Sequence, residues 1–337
     1  MLAFLSLKGS HFEVGEALGR FGAEAFARFR AQSPAWQHLL RWLPSVELQK
    51  MAALVQTHYP DYWQELLGLA QGLGLPIDQV LLWNCRGDFW ALAPDGCTTI
   101  LTSGAGLAVA HNEDGDPLFR GHCGVAQVRV GDEAFVSFFY PGSLLGHTFA
   151  TNQHGLAITV NNLRLQNEDV GMPRMVLARA TVAARTIDEV RTVLSQTARA
   201  GGFHFTVAEL ATKRLYSVEF GPYHCSVEQV QTPSVHANHM IHAAMRPYPQ
   251  LITGSSAFRQ IAGDALLAQG AAPLAILFSK DHPNYPLFRE DEQDSDNEHT
   301  LATVCFEANG DDWDWCVYEY AAIEPVLRFK NIEPLPS

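Results

Sequence analysis

The tripeptide Gly96-Cys97-Thr98 contains the residues of this chain with the most obvious chemical potential. Cleavage of the Gly96–Cys97 peptide bond would leave Cys97 with both a thiol and a free α-amine. An α-amine titrates near pH ~8, so it can serve as the base for the nucleophile of its own residue. Without such a cleavage, a free cysteine is usually a small buried hydrophobic side chain. The segment therefore predicts an N-terminal nucleophile, with a structural thiol as the alternative.

The cleavage itself requires an N→S acyl shift, in which the Cys97 thiol attacks the Gly96 carbonyl and water opens the thioester. A glycine before the nucleophile allows the strained backbone geometry that such an attack needs. The freed Cys97 would then attack a substrate amide, form an acyl-enzyme and release an amine. We expect Gly96 and Cys97 to form the cleavage site.

A metal-dependent hydrolase is the main alternative chemistry, because His236, His239 and His242 are spaced by three. The chain has neither a His-Glu-x-x-His motif nor a cysteine pair at metal-binding spacing. On a strand, His239 would also point away from the other two histidines. We therefore predict no metal and no cofactor. Further candidate ligands lie downstream at Asp281, His282 and His299.

The composition is that of an ordinary globular protein: 337 residues, 47% hydrophobic and 18% charged. The net charge of −13 argues against nucleic acid or an anionic membrane as a partner. The apolar opening segment lacks a basic region, and no apolar run reaches the length of a membrane span. Because the six cysteines show no CxxC spacing, we expect reduced thiols in a cytoplasmic protein.

The elements that must position Cys97 divide at that residue. Residues 10 to about 90 have helical patterns, including a helix from about Ser45 to Leu73. Gly15, Gly19 and Gly22 suggest close helix packing. A further helix starts at Pro76. After Cys97, short β-rich runs are followed by helices and then by strands again, which predicts α+β layers. The polar stretch Arg289–His299 is predicted to be a mobile surface loop.

The predicted strands and helices of the second part have the following approximate bounds. Strands are expected at Thr98–Leu101, Leu107–His111, Gly124–Val130, Ala134–Tyr140, Leu156–Val160, Phe203–Glu209, Leu215–Phe220, Thr300–Glu307 and Trp315–Glu319. Helices are expected at Pro173–Ala184, Ile187–Thr197 and Ala257–Gln269.

A set of short motifs, in order along nearly the whole chain, resembles the acyl-coenzyme A:6-aminopenicillanic acid acyltransferase family. Asp95–Thr99 resembles the self-cleavage site of that family, and Tyr140–Gly146 resembles the branch that hydrolyses β-alanyl amines such as carcinine. Each motif alone is weak, but their ordered set is specific. The other motifs are Gly9–Gly15, Glu65–Gly72, Leu81–Asn84 with Asp88, Asn152–Leu156, Asn161-Asn162, Ala237–His239, Asp281-His282 and Thr300–Thr303.

The resemblance implies an N-terminal-nucleophile hydrolase, which has a four-layer αββα sandwich and arises from a self-processed precursor. Residues 1–96 would form a helical pro-segment or small subunit, and residues 97–337 the catalytic large subunit. The two fragments would associate as a heterodimer, with a higher homo-oligomer left open.

The resemblance also assigns roles to individual residues. Asn238 is the first choice for the oxyanion donor and Asn162 the second, with a turn or cap residue as the alternative for either. Asn161 lies on the strand face opposite to Asn162. Asp114 would orient the α-ammonium or thiol of Cys97, with a polar turn as the alternative.

Three further residues are expected to contact the substrate. His111 stands where related acylases carry an arginine, which makes recognition of an acidic or steroid-like substrate doubtful. Arg259 would line the site, with a surface salt bridge as the alternative. His239 adjoins Asn238 and is expected to bind substrate as well.

Four hypotheses follow for the function. The first is a self-processing amidohydrolase or acyltransferase acting on a small N-acyl amine. The second is acyl transfer from a thioester such as acyl-coenzyme A, which uses the same acyl-enzyme. The third is the metal-dependent hydrolase, and the fourth is a binding protein that never cleaves. The sequence does not identify the acyl group or the amine.

Overall fold

Two β-sheets stacked face to face form the centre of the fold, and helices cover both outer faces. The computed structural model describes residues 2–93, 95–103, 106–166, 170–196 and 198–336. Helices α1 and α7 pack on the first sheet, whereas α9 and α10 pack on the second. The strands are β1 (Ala3–Gly9), β2 (Asp95–Thr102), β3 (Ala108–Gly115), β4 (Gly124–Val130), β5 (Glu133–Phe139), β6 (Phe149–Asn152), β7 (Leu156–Asn162), β8 (Phe203–Glu209), β9 (Arg214–Phe220), β10 (Cys225–Gln229), β11 (Ser234–His236), β12 (His299–Asn309), β13 (Asp312–Tyr318), β14 (Leu327–Lys330) and β15 (Glu333–Pro334). The α-helices are α1 (His11–Gln32), α2 (Pro34–Leu39), α3 (Val46–His58), α4 (Pro60–Leu73), α5 (Ile77–Asn84), α6 (Arg86–Phe89), α7 (Arg174–Val182), α8 (Ile187–Ser195), α9 (Gly254–Ala268) and α10 (Pro273–Leu277).

The first sheet has the strand order β1-β4-β5-β6-β7-β8-β9-β10, and the second has the order β11-β2-β3-β12-β13-β14-β15. Strand β1 is parallel to β4 and the other neighbours are antiparallel. The inner faces meet where β2 contacts β7. Because each sheet lies between a helical layer and the other sheet, most strand residues are buried on both faces. The predicted α+β class and four-layer αββα sandwich are confirmed.

The close helix packing predicted from Gly15 and Gly19 occurs between α1 and α4, whereas Gly22 lies against Pro141 in the loop after β5. A Cβ placed on Gly15 would lie 2.0 Å from the carbonyl oxygen of Glu65, and one on Gly68 would lie 2.0 Å from that of Phe12. Only glycine allows the two backbones to approach so closely.

The single helix predicted from Ser45 to Leu73 is wrong, because the chain forms two helices there. Helix α3 ends at His58 and α4 begins at Pro60, a residue that has no N–H to continue the preceding helix. Among the described residues, no single helix is long and apolar enough to cross a membrane. Only α4 and α5 taken together meet that test, and they are bent by 116° relative to each other.

Most predicted strands occur, with shifted ends. Strand β3 runs on to Gly115, so the His-Asn-Glu-Asp segment is strand rather than a polar turn. The strands β1, β6, β10, β11, β14 and β15 were not predicted. Helix α8 ends at Ser195, and Thr197, the predicted end of this helix, lies outside the described residues. All six cysteines are free thiols.

The prediction that Arg289–His299 is a mobile surface loop is wrong for the ends of this segment. Its central residues are largely exposed, but Arg289 and Glu298 are fully buried. The Arg289 guanidinium donates to the carboxylates of Asp294 and Glu298. Arg164 donates to the other oxygen of Glu298 at 2.6 Å. These contacts hold the two ends of the loop to each other and to Arg164.

A buried ion pair joins the helical N-terminal part of the chain to the rest. The Arg179 guanidinium on α7 donates to the Glu65 carboxylate on α4 at 2.7–3.1 Å, and both side chains are buried. His11 lies 2.7 Å from the same carboxylate. The Arg179 charge and the His11 hydrogen bond hold the pKa of Glu65 below its ordinary value, against the opposing effect of burial.

We expect Glu65→Gln to lower the free energy of unfolding by about 3 kcal/mol, because it leaves the Arg179 charge buried with less compensation. Urea denaturation followed by circular dichroism measures this change. Glu324→Gln is the matched control, since Glu324 pairs with Arg328 on the surface. Equal unfolding midpoints for the two variants would contradict the structural importance of the buried pair.

Candidate active site

The pairing of β2 with β3 places Cys97 directly opposite Glu113, and Thr99 directly opposite His111. Directly opposed residues of an antiparallel pair point to the same side of the sheet, as do residues two apart on one strand. All four side chains therefore share the inner face of the second sheet. The Cys97 thiol lies 3.8 Å from Glu113 Oε2.

The outer face of the same two strands carries the alternate residues. Gly96 is opposite Asp114, and Thr98 is opposite Asn112. The contacts agree with this alternation, since Thr98 binds Arg259 of α9. The Cys97 thiol and the neighbouring Glu113 carboxyl group thus lie on one side of the sheet, and the Asp114 carboxylate lies on the other.

The Cys97 thiol is buried in an environment that keeps it protonated. Burial raises its pKa well above the ordinary value, and the charges of Glu113 and Asp114 act in the same direction. The backbone N–H groups of Asp114 and Asn162 act against this and lower the thiol pKa. Nucleophilic attack from this state requires a group that accepts the thiol proton.

The backbone of Cys97 is held by two side chains of the second half of the chain. Asn238 Oδ1 accepts a hydrogen bond from the Cys97 N–H at 3.0 Å. Arg259 Nη1 donates to the Cys97 carbonyl at 2.5 Å, and its Nη2 donates to Asn238 Oδ1 at 2.6 Å. The structure therefore places the predicted residues Asn238 and Arg259 in contact with the Cys97 backbone. Arg259 is buried and is not a surface salt bridge.

Asp95, the residue before Gly96, is held by hydrogen bonds as firmly as Cys97. Arg86 donates to both carboxylate oxygens of Asp95 at 2.7–3.2 Å. Asn162 Nδ2 donates to the Asp95 carbonyl at 2.8 Å, and Arg174 orients this amide by donating to Asn162 Oδ1 at 2.6 Å. The Gly96–Cys97 bond is thus fixed on both sides.

Gly96 has no room for a side chain. A Cβ at this position would lie 2.1 Å from Glu298 Oε2 and 2.9 Å from Arg289 Nη1. The buried side chains of Glu298 and Arg289, at the ends of the Arg289–His299 loop, therefore contact the predicted cleavage site.

The Asp114 carboxylate does not contact the Cys97 thiol in this structure. Its Oδ1 accepts from Thr300 at 2.7 Å, and its Oδ2 lies 3.9 Å from Arg289. Burial raises the pKa of Asp114 to about 6, although the charges of Arg289 and Arg259 oppose this. What Asp114 offers Cys97 here is its backbone N–H. An orienting role of its carboxylate stays a prediction.

Glu113 was missed as a site residue, although it contacts the thiol. Its Oε2 lies 3.0 Å from His111 Nε2, and its Oε1 accepts a hydrogen bond from the Tyr140 hydroxyl. Burial raises the pKa of Glu113 well above its ordinary value. Strand alternation in the His-Asn-Glu-Asp segment could have revealed it, because His111 and Glu113 must share a face.

The three histidines of the rival metal site do not converge. His236 binds Glu219 at 2.9 Å, His239 binds Ser256 at 2.8 Å and His242 lies beside Ser217. Only His236 belongs to a strand, β11. His239 is half-buried, and its hydrogen bond is to Ser256 rather than to Cys97, so its substrate role stays a prediction.

In the described part of the chain, one group of three side chains could offer ligands to a metal. The ligand atoms of Cys97, His111 and Glu113 lie within 4.8 Å of one another. The same atoms make hydrogen bonds to each other, so a metal would have to replace those bonds. The arrangement is equally suited to proton transfer.

A cavity of about 660 Å³ adjoins the anchored segment. Its wall includes Trp90, Asp116, Arg164 and Asp296, and Cys97 is not among its lining residues. Arg164 connects the cavity to the cleavage site, because its guanidinium binds Glu298, which lies against Gly96.

A comparison with known protein families identifies a match. The family model described as acyl-coenzyme A:6-aminopenicillanic acid acyl-transferase matches residues 101–321, about two thirds of the chain. The matched span contains Asp114, Asn162, Asn238 and Arg259, and it begins four residues after Cys97. The chain belongs to the acyl-coenzyme A:6-aminopenicillanic acid acyl-transferase family, whose members are acyltransferases and hydrolases.

Proposed function

We propose that this protein is a self-cleaving cysteine amidohydrolase or acyltransferase that acts on the C–N bond of a small N-acyl amine. The observation that carries the proposal is the contact of the Cys97 N–H with Asn238 Oδ1 at 3.0 Å. This nitrogen would become the α-amine, so the group that holds the amine is already in place before cleavage. The thiol of the same residue faces a carboxyl group across the strand pair.

The first reaction is cleavage of the precursor between Gly96 and Cys97. Side-chain hydrogen bonds to Asp95 and to the Cys97 carbonyl restrain the Gly96–Cys97 bond. This restraint lowers the entropy cost of the attack by the adjacent thiol. Water then hydrolyses the thioester. Residues 1–96 and 97–337 become two chains, which the Glu65–Arg179 ion pair helps to keep together as a heterodimer.

The tetrahedral intermediates need preorganised donors for the oxyanion, each of which contributes roughly 3–4 kcal/mol. Asn238 Nδ2 has two N–H groups, and one of them donates to the Asn162 carbonyl at 3.1 Å. We assign the second to the oxyanion. The side chain of Asn162 is engaged with Asp95, so the second donor is the Asn162 backbone N–H, which already points at the thiol.

Substrate turnover would follow the same route after cleavage. The α-amine of Cys97 accepts the thiol proton, Cys97 attacks the substrate carbonyl, and the amine leaves from an acyl-enzyme. We place substrate access at the cavity beside Arg164. Cleavage creates a Gly96 carboxylate next to Glu298. Repulsion between these two anions would displace the residues that bury Cys97.

The acyl-enzyme can pass its acyl group to water or to a second amine, so hydrolysis and acyl transfer share every step up to this intermediate. Acyl transfer from an acyl-coenzyme A thioester is the second candidate function, and the family description supports it. A metal-dependent hydrolase built on the histidines has little support, because their side chains do not converge.

The first prediction concerns processing. Purified wild-type protein should show two fragments on a denaturing gel, residues 1–96 and 97–337, and N-terminal sequencing of the larger should begin at Cys97. Cys97→Ala should remain one chain, because it has no nucleophile for the acyl shift. Cleavage that persists in Cys97→Ala would eliminate the proposed self-processing.

The second prediction concerns metals. Amidase activity of the mature protein, assayed on a panel of N-acyl amines, should survive chelation and be lost on thiol alkylation. Cys225→Ser is the control, because Cys225 is exposed and would otherwise consume reagent. If a chelator abolished activity and zinc restored it, the metal hypothesis would replace this one.

The third prediction concerns the oxyanion donor. Asn238→Ala should lower turnover by about 10²–10³-fold in fully processed enzyme, as expected for the loss of one preorganised donor. Asn162→Ala should have a smaller effect, because its backbone N–H remains. Asn309→Ala, on the surface, is the control. Each variant is assayed after mass spectrometry confirms Cys97 as the N-terminus, and near-normal turnover in Asn238→Ala would refute the assignment.

A further inference from the structure

A continuous chain of buried hydrogen bonds starts at the nucleophile. It runs from the Cys97 thiol to Glu113 Oε2 at 3.8 Å, and from this oxygen to His111 Nε2 at 3.0 Å. His111 Nδ1 lies 2.8 Å from the Thr99 hydroxyl, which donates to Asn161 Oδ1 at 2.7 Å. All five side chains are buried.

The direction of these bonds is determined at Asn161. Its Nδ2 donates to the His236 carbonyl at 3.0 Å, and a carbonyl can only accept, so Asn161 Oδ1 is the acceptor atom. The single hydroxyl hydrogen of Thr99 is therefore used on Asn161. Towards His111, Thr99 can only accept, and His111 Nδ1 must carry a hydrogen.

The remaining nitrogen of His111 then specifies the state of Glu113. Burial lowers the pKa of His111 to about 3, which favours the neutral imidazole with a lone pair on Nε2. A hydrogen bond between this nitrogen and Glu113 Oε2 requires a hydrogen on the oxygen. The burial that raises the pKa of Glu113 favours the same protonated form.

We propose that Glu113 is a protonated carboxylic acid in the precursor and that it relays the Cys97 thiol proton to His111 during self-cleavage. One oxygen, Glu113 Oε2, makes both hydrogen bonds of the relay: it donates to His111 and accepts from the thiol. Glu113 touches the reacting sulfur and is a catalytic residue. His111, Thr99 and Asn161 act through it and are positioning residues. The inference rests on the proposed self-cleavage at Cys97.

The relay balances without any further reactant. Cys97 Sγ bonds to the Gly96 carbonyl carbon, whose π electrons move to oxygen. The thiol proton passes to Glu113 Oε2 while the proton of this oxygen passes to His111 Nε2. Collapse of the intermediate breaks the Gly96–Cys97 C–N bond, and the electron pair of that bond goes to nitrogen. The nitrogen takes one proton from the Glu113–His111 pair, which returns to its starting state.

Glu113→Gln separates the relay from a structural role. A glutamine amide can accept from Tyr140 and donate to His111, as the protonated carboxyl does, but it cannot take up a proton. We expect unchanged thermal stability and precursor cleavage slowed by about 10²-fold or more, the usual contribution of acid–base catalysis. Cleavage is followed in cell-free translation by gel and mass spectrometry. Glu209→Gln, a buried glutamate on β8, is the matched control.

A second measurement does not depend on cleavage. In the Cys97→Ala precursor, nitrogen-15 NMR should show His111 neutral with its hydrogen on Nδ1. The infrared band of a protonated carboxyl should be present and disappear in Cys97→Ala/Glu113→Gln. An ionised Glu113 carboxylate beside a His111 that carries a hydrogen on Nε2 would overturn the proposal. If Glu113→Gln fails to fold, this measurement on the Cys97→Ala precursor provides the test instead.

The outcomes separate this inference from the proposed function. If Cys97→Ala is cleaved, or if wild type is never cleaved, the self-processing proposal fails. If only wild type and Glu113→Gln are cleaved, at equal rates, the relay fails and the proposed function stands. Slow cleavage of folded Glu113→Gln, with the predicted His111 tautomer, supports both.

Discussion

Backbone hydrogen bonds between β2 and β3 hold Cys97 opposite Glu113, and the arrangement of the candidate site depends on this register. A slip by one residue would move every side chain of one strand to the other face of the sheet. The thiol would then lose its carboxyl neighbour, and His111 would leave the inner face. The register is reinforced from outside the pair, because Thr303 and two backbone carbonyls bind Asn112 on the opposite face.

The same region concentrates buried charge, and pairing offsets the cost of removing these groups from water. Arg86 neutralises Asp95, Arg289 and Arg164 share Glu298, and Arg259 binds the Cys97 backbone. These contacts stabilise a structure in which Cys97 is only 3% exposed. In our account, cleavage adds the Gly96 carboxylate to these paired charges. The site then opens because the charge changes, without a change of fold.

The sequence was sufficient to predict the αββα class, most strands of the large fragment, and the placement of Asn238 and Arg259 beside Cys97. Strand alternation places Glu113 on the same face as His111, but its position opposite Cys97 depends on a strand register that only tertiary pairing establishes. The role expected of Asp114 came from family position, without the alternation that places its carboxylate on the other face. Composition alone predicts a mobile Arg289–His299 loop. The sequence does not show that Arg289 forms ion pairs with buried partners in the fold.

The central claim is that Cys97 carries a thiol and a free α-amine on the same residue. A cyanobenzothiazole condenses only where an amine and a thiol are adjacent, and it can be added to the unfolded mature protein to avoid the effect of burial. We predict one label per molecule, on the fragment that begins at Cys97, with the five other cysteines unlabelled. Absence of this label, with all six cysteines still open to a general thiol reagent, would contradict the account.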